Sequence, residues 1–185
     1  MEKETIGKVM ITEEEIKARA KEIGAQISKD YAGESVLMVG ILKGAIMWMA
    51  DVMKYVTVPV KIDFMVVSSY GASTKSSGIV RILKDLDTDI EGKQVIIIED
   101  IVDSGITLAY IKKYLQGRMA KSVKVCSLLN KPMGRKADIE PDYAGFEVDD
   151  RFIIGYGLDY DQKYRNLPYI SYLEGTEKER ILEKE

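Results

Sequence analysis

The chain has 185 residues, 27 Lys and Arg against 30 Asp and Glu, no histidine and one cysteine. That composition excludes Ser-His-Asp and Cys-His relays, imidazole acid–base pairs and thiolate zinc clusters, leaving carboxylates, lysine, hydroxyls, backbone amides and hard metal ions. A hydrophobic fraction of 46% beside 31% charged residues fits one globular domain, and a net charge of −3 gives no global attraction to nucleic acid or anionic membrane.

The amino-terminal MEKETIGKVMITEEEIK is charged throughout, unlike an export signal, and no apolar run approaches the roughly 20 residues of a membrane span. With one cysteine and no internal disulfide available, a cytoplasmic location is expected. Thr12 followed by Glu15 forms a capping-box start, and Ile16, Ala20, Ile23 and Ile27 recur at helical spacing. This predicts an amphipathic helix on the side of a sheet. SVLMVGI (35–41) is a continuous apolar run of strand length, as expected of a strand buried on both faces. It stops at Leu42-Lys43-Gly44 and passes into AIMWMADVMKYV, an apolar-rich helix. Met47, Trp48, Met49 and Met53 of that helix are core candidates, with surface left over for a contact between copies of the chain. After Pro59, VKIDFMVVSS alternates like a strand, YGASTKSSG (70–78) is small and polar, and IVRILKDL resumes a strand pattern.

QVIIIED (94–100) is the most apolar strand and ends in two acids. DSGITLAYIKKYLQG (103–117) reads as a helix with an Asp/Ser start and a Gly stop. SVKVCSLLN (122–130) is another strand, KPMGRKADIEPD a loop, and the tyrosine-rich remainder is strand-like in pieces before a polar tail. Strands alternating with helices imply an α/β fold with a mainly parallel sheet.

The stretch VIIIEDIVDSGITLAYI (95–111) carries the densest chemical signal. A buried strand delivers Glu99 and Asp100 to its carboxyl end, where α/β proteins bind ligands. Asp103, Ser104, Gly105, Ile106 and Thr107 follow into a helix whose first amides, with the two hydroxyls, form a phosphate cradle; Gly105 permits close approach. The neighbouring carboxylates suit ribose hydroxyls or hydrated Mg²⁺. Taken singly, each of these residues is an ordinary cap or strand end; three acids in five positions after a buried run are not. Neither G-x-G-x-x-G nor G-x-x-x-x-G-K-[ST] occurs.

This run resembles the phosphoribosyl pyrophosphate (PRPP) signature of the type I phosphoribosyltransferase family: a strand, Glu-Asp, two hydrophobic residues, Asp, Ser or Thr, Gly, any residue, Thr. The likeness extends from about residue 35 to 172 and is nearest the hypoxanthine-guanine branch. Leu42-Lys43-Gly44 is similar to that branch's pyrophosphate loop, and Ser69-Tyr70 with the stretch to Gly78 to its catalytic lid. Leu128-Leu129-Asn130-Lys131-Pro132 is similar to the strand end that presents a base-reading lysine, and PDYAGFEVDDRFIIGYGLDY with YRNLPYI to the purine-binding hood.

The resemblance implies a type I phosphoribosyltransferase fold in one domain. Its core would span about 10–135, with a small hood over about 140–175, to which the amino terminus is a further candidate contributor, and a flexible lid over 69–79. It implies transfer of the phosphoribosyl group of PRPP to a 6-oxopurine, that is hypoxanthine, guanine or xanthine, with Mg²⁺ as cofactor and a homodimer or homotetramer as the assembly. Residues 104–107 would hold the 5′-phosphate, and Glu99 and Asp100 the ribose hydroxyls and metal. Asp103 would be the general base, a role that depends on geometry and exclusion of water because a carboxylate is a weak base. Lys43, Gly44, Ser69, Tyr70 and Arg165 would meet pyrophosphate. Lys131 would read the 6-oxo group, Phe152 stack on the base, Ile153 line its slot, and Asp159 stand beside the base or a second Mg²⁺.

Two departures from the family pattern stand out. Met133 and Gly134 precede Arg135-Lys136, so the resemblance assigns Arg135 no role, and the hood's usual proline is replaced in VDDRF. A PRPP- or nucleotide-sensing regulator on the same fold is the alternative. It would need a nucleic-acid surface, and the sequence shows neither a helix-turn-helix candidate nor a basic balance.

Overall fold

The computed structural model describes residues 5–69 and 80–175. In chain order these form β1 (Thr5–Ile6), α1 (Glu13–Asp30), β2 (Val36–Leu42), α2 (Ile46–Met53), β3 (Val60–Ser69) and β4 (Val80–Lys84). There follow β5 (Gln94–Val102), α3 (Ile106–Gln116), β6 (Ser122–Asn130), β7 (Tyr143–Glu147), β8 (Ile153–Ile154) and β9 (Ser171–Glu174). The lid expected over 69–79 lies, from Tyr70 onward, outside the described residues.

The capping box starts α1 by mutual satisfaction. Thr12 Oγ1 accepts the Glu15 amide at 3.2 Å, and the Glu15 carboxylate accepts the Thr12 amide at 2.7 Å. One stripe of α1 then buries Ile16, Ala20, Ile23 and Ile27. Each such Ile contributes about 1.5–3 kcal/mol on burial, and Ile23→Ala would cost about 2–5 kcal/mol.

Six strands form one sheet in the order β4-β3-β2-β5-β6-β7, parallel throughout except for the antiparallel edge pair β3–β4. Alternation divides the central strands between two cores. Ile96 and Ile98 pack with α1 and α2, whereas Val95 and Ile97 pack with α3. A strand apolar on both faces is what a parallel sheet covered by helices requires. A second, three-stranded antiparallel sheet, β1-β9-β8, joins the amino-terminal strand to the two strands that follow β7.

The strand order places the site. From β2 the chain proceeds to β3 on one side; from β5 it proceeds to β6 on the other, so β2 and β5 flank a topological switch point. Open α/β sheets bind ligands there, outside the carboxyl ends of the strands.

Two helices are shorter than their sequences suggest. The run 45–56 is helical only over Ile46–Met53, with Lys54 and Tyr55 in a turn that leads out of it. Helix α3 begins at Ile106, since β5 runs past its acids to Val102 and Gly105 is the cap residue, at φ 75°. No side chain caps α3, so the Asp/Ser start expected there is corrected: Asp103 and Ser104 belong to the turn before the helix.

Candidate active site

Leu42-Lys43-Gly44, the end of β5 and the β5–α3 turn come together at the switch point. The Leu42–Lys43 peptide is cis. Gly44 packs so closely on Asp100 that any Cβ would overlap its carboxylate, and the Gly44 carbonyl in turn occupies the space beside Gly157. Only a residue without a side chain fits between the acid and the 157 loop.

Glu99 is 9% exposed and Asp100 is half-buried. Among the described residues no lysine or arginine pairs with either; Glu99 accepts only the Asp100 amide at 3.3 Å, and Asp100 the Ile101 amide at 2.7 Å. Burial, reinforced by the charge of Asp100, pushes the Glu99 carboxyl well above its usual range, and burial raises Asp100 as well. Two adjacent acids have been desolvated side by side, and the Arg165 charge offsets this only in part at Asp100.

Beyond them, Glu99, Asp100, Asp103, Ser104, Gly105 and Thr107 line a cavity of about 210 Å³. Ile106 opens α3 at its edge, its amide 3.5 Å from Ser104 Oγ. Amides and hydroxyls facing a small hollow at a helix start suit an anion. A second cavity of about 300 Å³ is lined by Asp103, Lys131, Phe152, Ile153, Leu158 and Asp159, among others. Asp100, Ile101 and Asp103 line both cavities.

Lys131 is buried, 3% exposed, and held by charge: its Nζ lies 2.9 Å from Asp150, 3.5 Å from Asp103 and 3.2 Å from the Arg151 carbonyl. Phe152 meets Tyr160 edge-to-face at 5.4 Å between centroids, leaving the slot walled by an aromatic ring and Ile153. Asp159 is committed to its own loop, with Oδ1 2.6 Å from Arg165 and Oδ2 accepting the Gln162 amide at 2.8 Å. Arg165 also donates to the Gly157 carbonyl at 2.7 Å, and its Nε is buried without a partner among the described residues. Lys43 Nζ joins this group through Gln162 at 3.0 Å. The loop is strained: Tyr156, Asp161, Gln162 and Tyr164 all have positive φ. Such strain persists where surrounding contacts over-determine the backbone, and it gathers at functional sites.

Ser69 closes β3 at the rim of the sheet, and Tyr70 lies outside the described residues. Every other residue expected at the site falls on one of the two cavities or the loops around them.

A phosphoribosyl transferase domain family matches residues 10–161 of the chain. The chain belongs to the phosphoribosyltransferase family.

Relatives place it nearest the hypoxanthine-guanine branch. It is 54% identical over 173 residues to the hypoxanthine-guanine phosphoribosyltransferase of Bacillus subtilis, covering 94% of this chain and 96% of that one. It is 48% identical to the enzyme of the same name from Mycobacterium tuberculosis, covering 91% and 87%. Among solved structures, a hypoxanthine phosphoribosyltransferase from Staphylococcus aureus superposes with a TM-score of 0.89 at 50% identity, covering 91% of this chain and 92% of that one. One from Trypanosoma cruzi, in a ternary substrates complex, gives 0.87 at 39% identity, covering 92% and 96%. The phosphoribosyltransferase architecture therefore holds for the helix-flanked mixed sheet described above, and the chain is a transferase.

One residue of the phosphoribosyltransferase site has no sequence signature. Arg135 reaches back from the loop after β6 to the carbonyls of Val102 and Asp103, at 3.3 and 3.1 Å. An arginine grasping backbone carbonyls leaves no mark in a motif, because carbonyls are common to every residue.

Proposed function

We propose that the chain salvages purines by transferring the 5-phosphoribosyl group of PRPP to a ring nitrogen of hypoxanthine or guanine, with xanthine a further candidate, releasing pyrophosphate. The observation that carries this reading is the meeting of two cavities at Asp103, one suited to a phosphate and one to a flat base.

In this reading the amides and hydroxyls of residues 104–107 bind the 5′-phosphate, and Glu99 and Asp100 hold the ribose hydroxyls. The donor set fits Mg²⁺, a hard ion that is held by one or two carboxylates with water and substrate phosphates. Glu99 and Asp100 are adjacent oxygen donors with no direct lysine or arginine ion pair among the described residues, the Arg165 charge acting on Asp100 from farther off. When bound, the ion neutralises charge on the pyrophosphate leaving group. Asp159 would join a second ion only by releasing Arg165.

Asp103 takes the proton from the purine ring as its nitrogen attacks the anomeric carbon. The transferring group is oxocarbenium-like, so flanking carboxylates stabilise it without a covalent nucleophile. Arg165 and the Lys43-Gly44 loop, with Ser69 and Tyr70 as further contacts, receive the pyrophosphate; the Arg165 Nε, without a partner among the described residues, supplies a waiting donor. Lys131 donates to the purine 6-oxo oxygen, which adenine lacks. Phe152 and Ile153 clasp the ring.

The small β1-β9-β8 sheet serves as the hood, with the amino terminus contributing β1. Among the described residues no helix is long and apolar enough to cross a membrane, and Cys126 is a free buried thiol, in keeping with a cytoplasmic setting. On α2, Trp48 and Met49 are core, whereas Ile46 and Met47 are exposed, as are Ile62 of β3 and Leu83 of β4, supplying apolar surface for a homodimer or homotetramer.

A steady-state assay with PRPP, Mg²⁺ and each of hypoxanthine, guanine, xanthine and adenine tests the reading. Pyrophosphate release with 6-oxopurines and not with adenine is expected. No release, or adenine used as well as hypoxanthine, would overturn it.

A further inference from the structure

The loop after β6 does more than present Lys131. Its backbone amides take the carbonyls on the back of the phosphate turn: Lys131 donates to Val102 at 2.9 Å, and Lys136 and Ala137 to Ser104 at 2.9 and 3.1 Å. Arg135 completes the set. Its side chain is 12% exposed, and its guanidinium donates to the carbonyls of Asp103, Val102 and Ile139 and to Asn130 Oδ1, with Glu140 at 3.3 Å. Gly105 seals the arrangement, since a Cβ there would press on Ile139 at 2.7 Å and on Arg135 Cδ at 3.1 Å.

In a trans peptide the N–H points opposite to the C=O. Holding the carbonyls of residues 102, 103 and 104 from behind therefore turns the amides of 103, 104 and 105 the other way, toward the cavity that Asp103, Ser104 and Gly105 line. Donors fixed before the ligand arrives bind an anion without a reorganisation cost. The same loop touches the acid itself, because Gly134 packs on the Asp103 carboxylate with no room for a Cβ.

We infer that Arg135 is a positioning residue for PRPP: by clamping the carbonyls of Val102 and Asp103 it pre-forms the amide nest for the 5′-phosphate. The inference rests on the proposed function of this site. Arg135 lines neither of the two cavities, and its planar fork, which spans several acceptors at once, is not replaced by lysine.

The test compares Arg135→Met, Arg135→Lys and Arg135→Ala with the unsubstituted chain in the PRPP and hypoxanthine assay, alongside thermal unfolding without ligand. For Arg135→Met, KM for PRPP should rise about tenfold, the usual scale for a residue that orients binding groups. KM for hypoxanthine should stay within about twofold, because the clamp acts on the phosphate side only. Arg135→Lys should recover only part of the loss. Guanidine hydrochloride well below denaturing concentration should lower the PRPP KM of Arg135→Ala. Equal rises in both KM values, an unchanged PRPP KM, or a loss that tracks only the folded fraction would overturn the inference while leaving the proposed function standing. Failure of the unsubstituted chain to release pyrophosphate would instead overturn the proposed function itself.

Discussion

Asp63 and Glu99 are both strand carboxylates with less than a tenth of their surface exposed, yet they are treated in opposite ways. Burial pushes the Asp63 carboxyl up, but the Thr88 hydroxyl, the amides of Phe64 and Thr88 and the Lys84 charge outweigh it and leave Asp63 below its ordinary value. Its oxygens accept those amides at 2.7 and 2.8 Å, with Lys84 at 3.9 Å. Glu99 has one long amide contact and an acidic neighbour, and its carboxyl rises. An acid that serves the fold is supplied with donors. The acid at the switch point has them withheld, as the proposed binding of a cation or ribose hydroxyl requires.

Substitutions can break this contrast at each point. The largest effect falls on the functional side: Asp103→Ala should lower kcat by about 10²–10⁴-fold, the range for removing a general base, while titration calorimetry finds PRPP binding largely retained. Unchanged turnover would remove Asp103 from the chemistry. Next, Lys131→Ala should raise KM for hypoxanthine by about 10–100-fold, equivalent to a charged hydrogen bond of about 1.5–3 kcal/mol, with KM for PRPP little changed.

On the structural side the readout switches from activity to stability. Asp63→Asn sets an amide nitrogen against a backbone donor and should cost about 1–3 kcal/mol in urea unfolding, with activity per folded molecule kept. The pH sign follows from the lowered carboxyl: Asp63 stabilises the fold above its ordinary value of 3.8, and the contribution is lost as pH falls below that through the folded value. The wild type should therefore lose stability there more steeply than Asp63→Asn.

Asp85 behaves in the same direction, and more weakly. Burial raises it, while Tyr114 at 2.5 Å, the Leu86 amide and Arg118 at 3.1 Å bring it below its ordinary value. It is 41% exposed, so solvent screens the pair and Asp85→Asn should cost under about 1 kcal/mol.

Sequence patterning exposed the acidic side of this contrast better than the structural side. Glu99, Asp100 and 103–107 fall in one short stretch behind a four-residue apolar run, so their juxtaposition needs no long-range information. The same apolar continuity made β2, β5 and β6 legible. What remained hidden depends on distant partners. Thr88, which satisfies Asp63, lies 25 residues away in sequence, and Arg135 works through backbone carbonyls 32 and 33 residues away. Strands β1 and β8, at two residues each, are too short to show a period of two, and their pairing with β9 is tertiary. The positive φ values at Tyr156, Asp161, Gln162 and Tyr164 fall on residues other than glycine, so no local signal announces them.

Thermal unfolding of Glu99→Gln, with and without Mg²⁺ and PRPP, tests most directly whether donors are withheld from Glu99 for function. Removing one of two buried like charges keeps the Asp100 amide contact and should raise the melting temperature of the free chain, by about 2–4 °C for each kcal/mol relieved. The further rise that Mg²⁺ with PRPP gives the wild type should shrink in the variant. A free Glu99→Gln chain that melts below the wild type, or one stabilised by Mg²⁺ and PRPP as strongly as the wild type, would contradict the account.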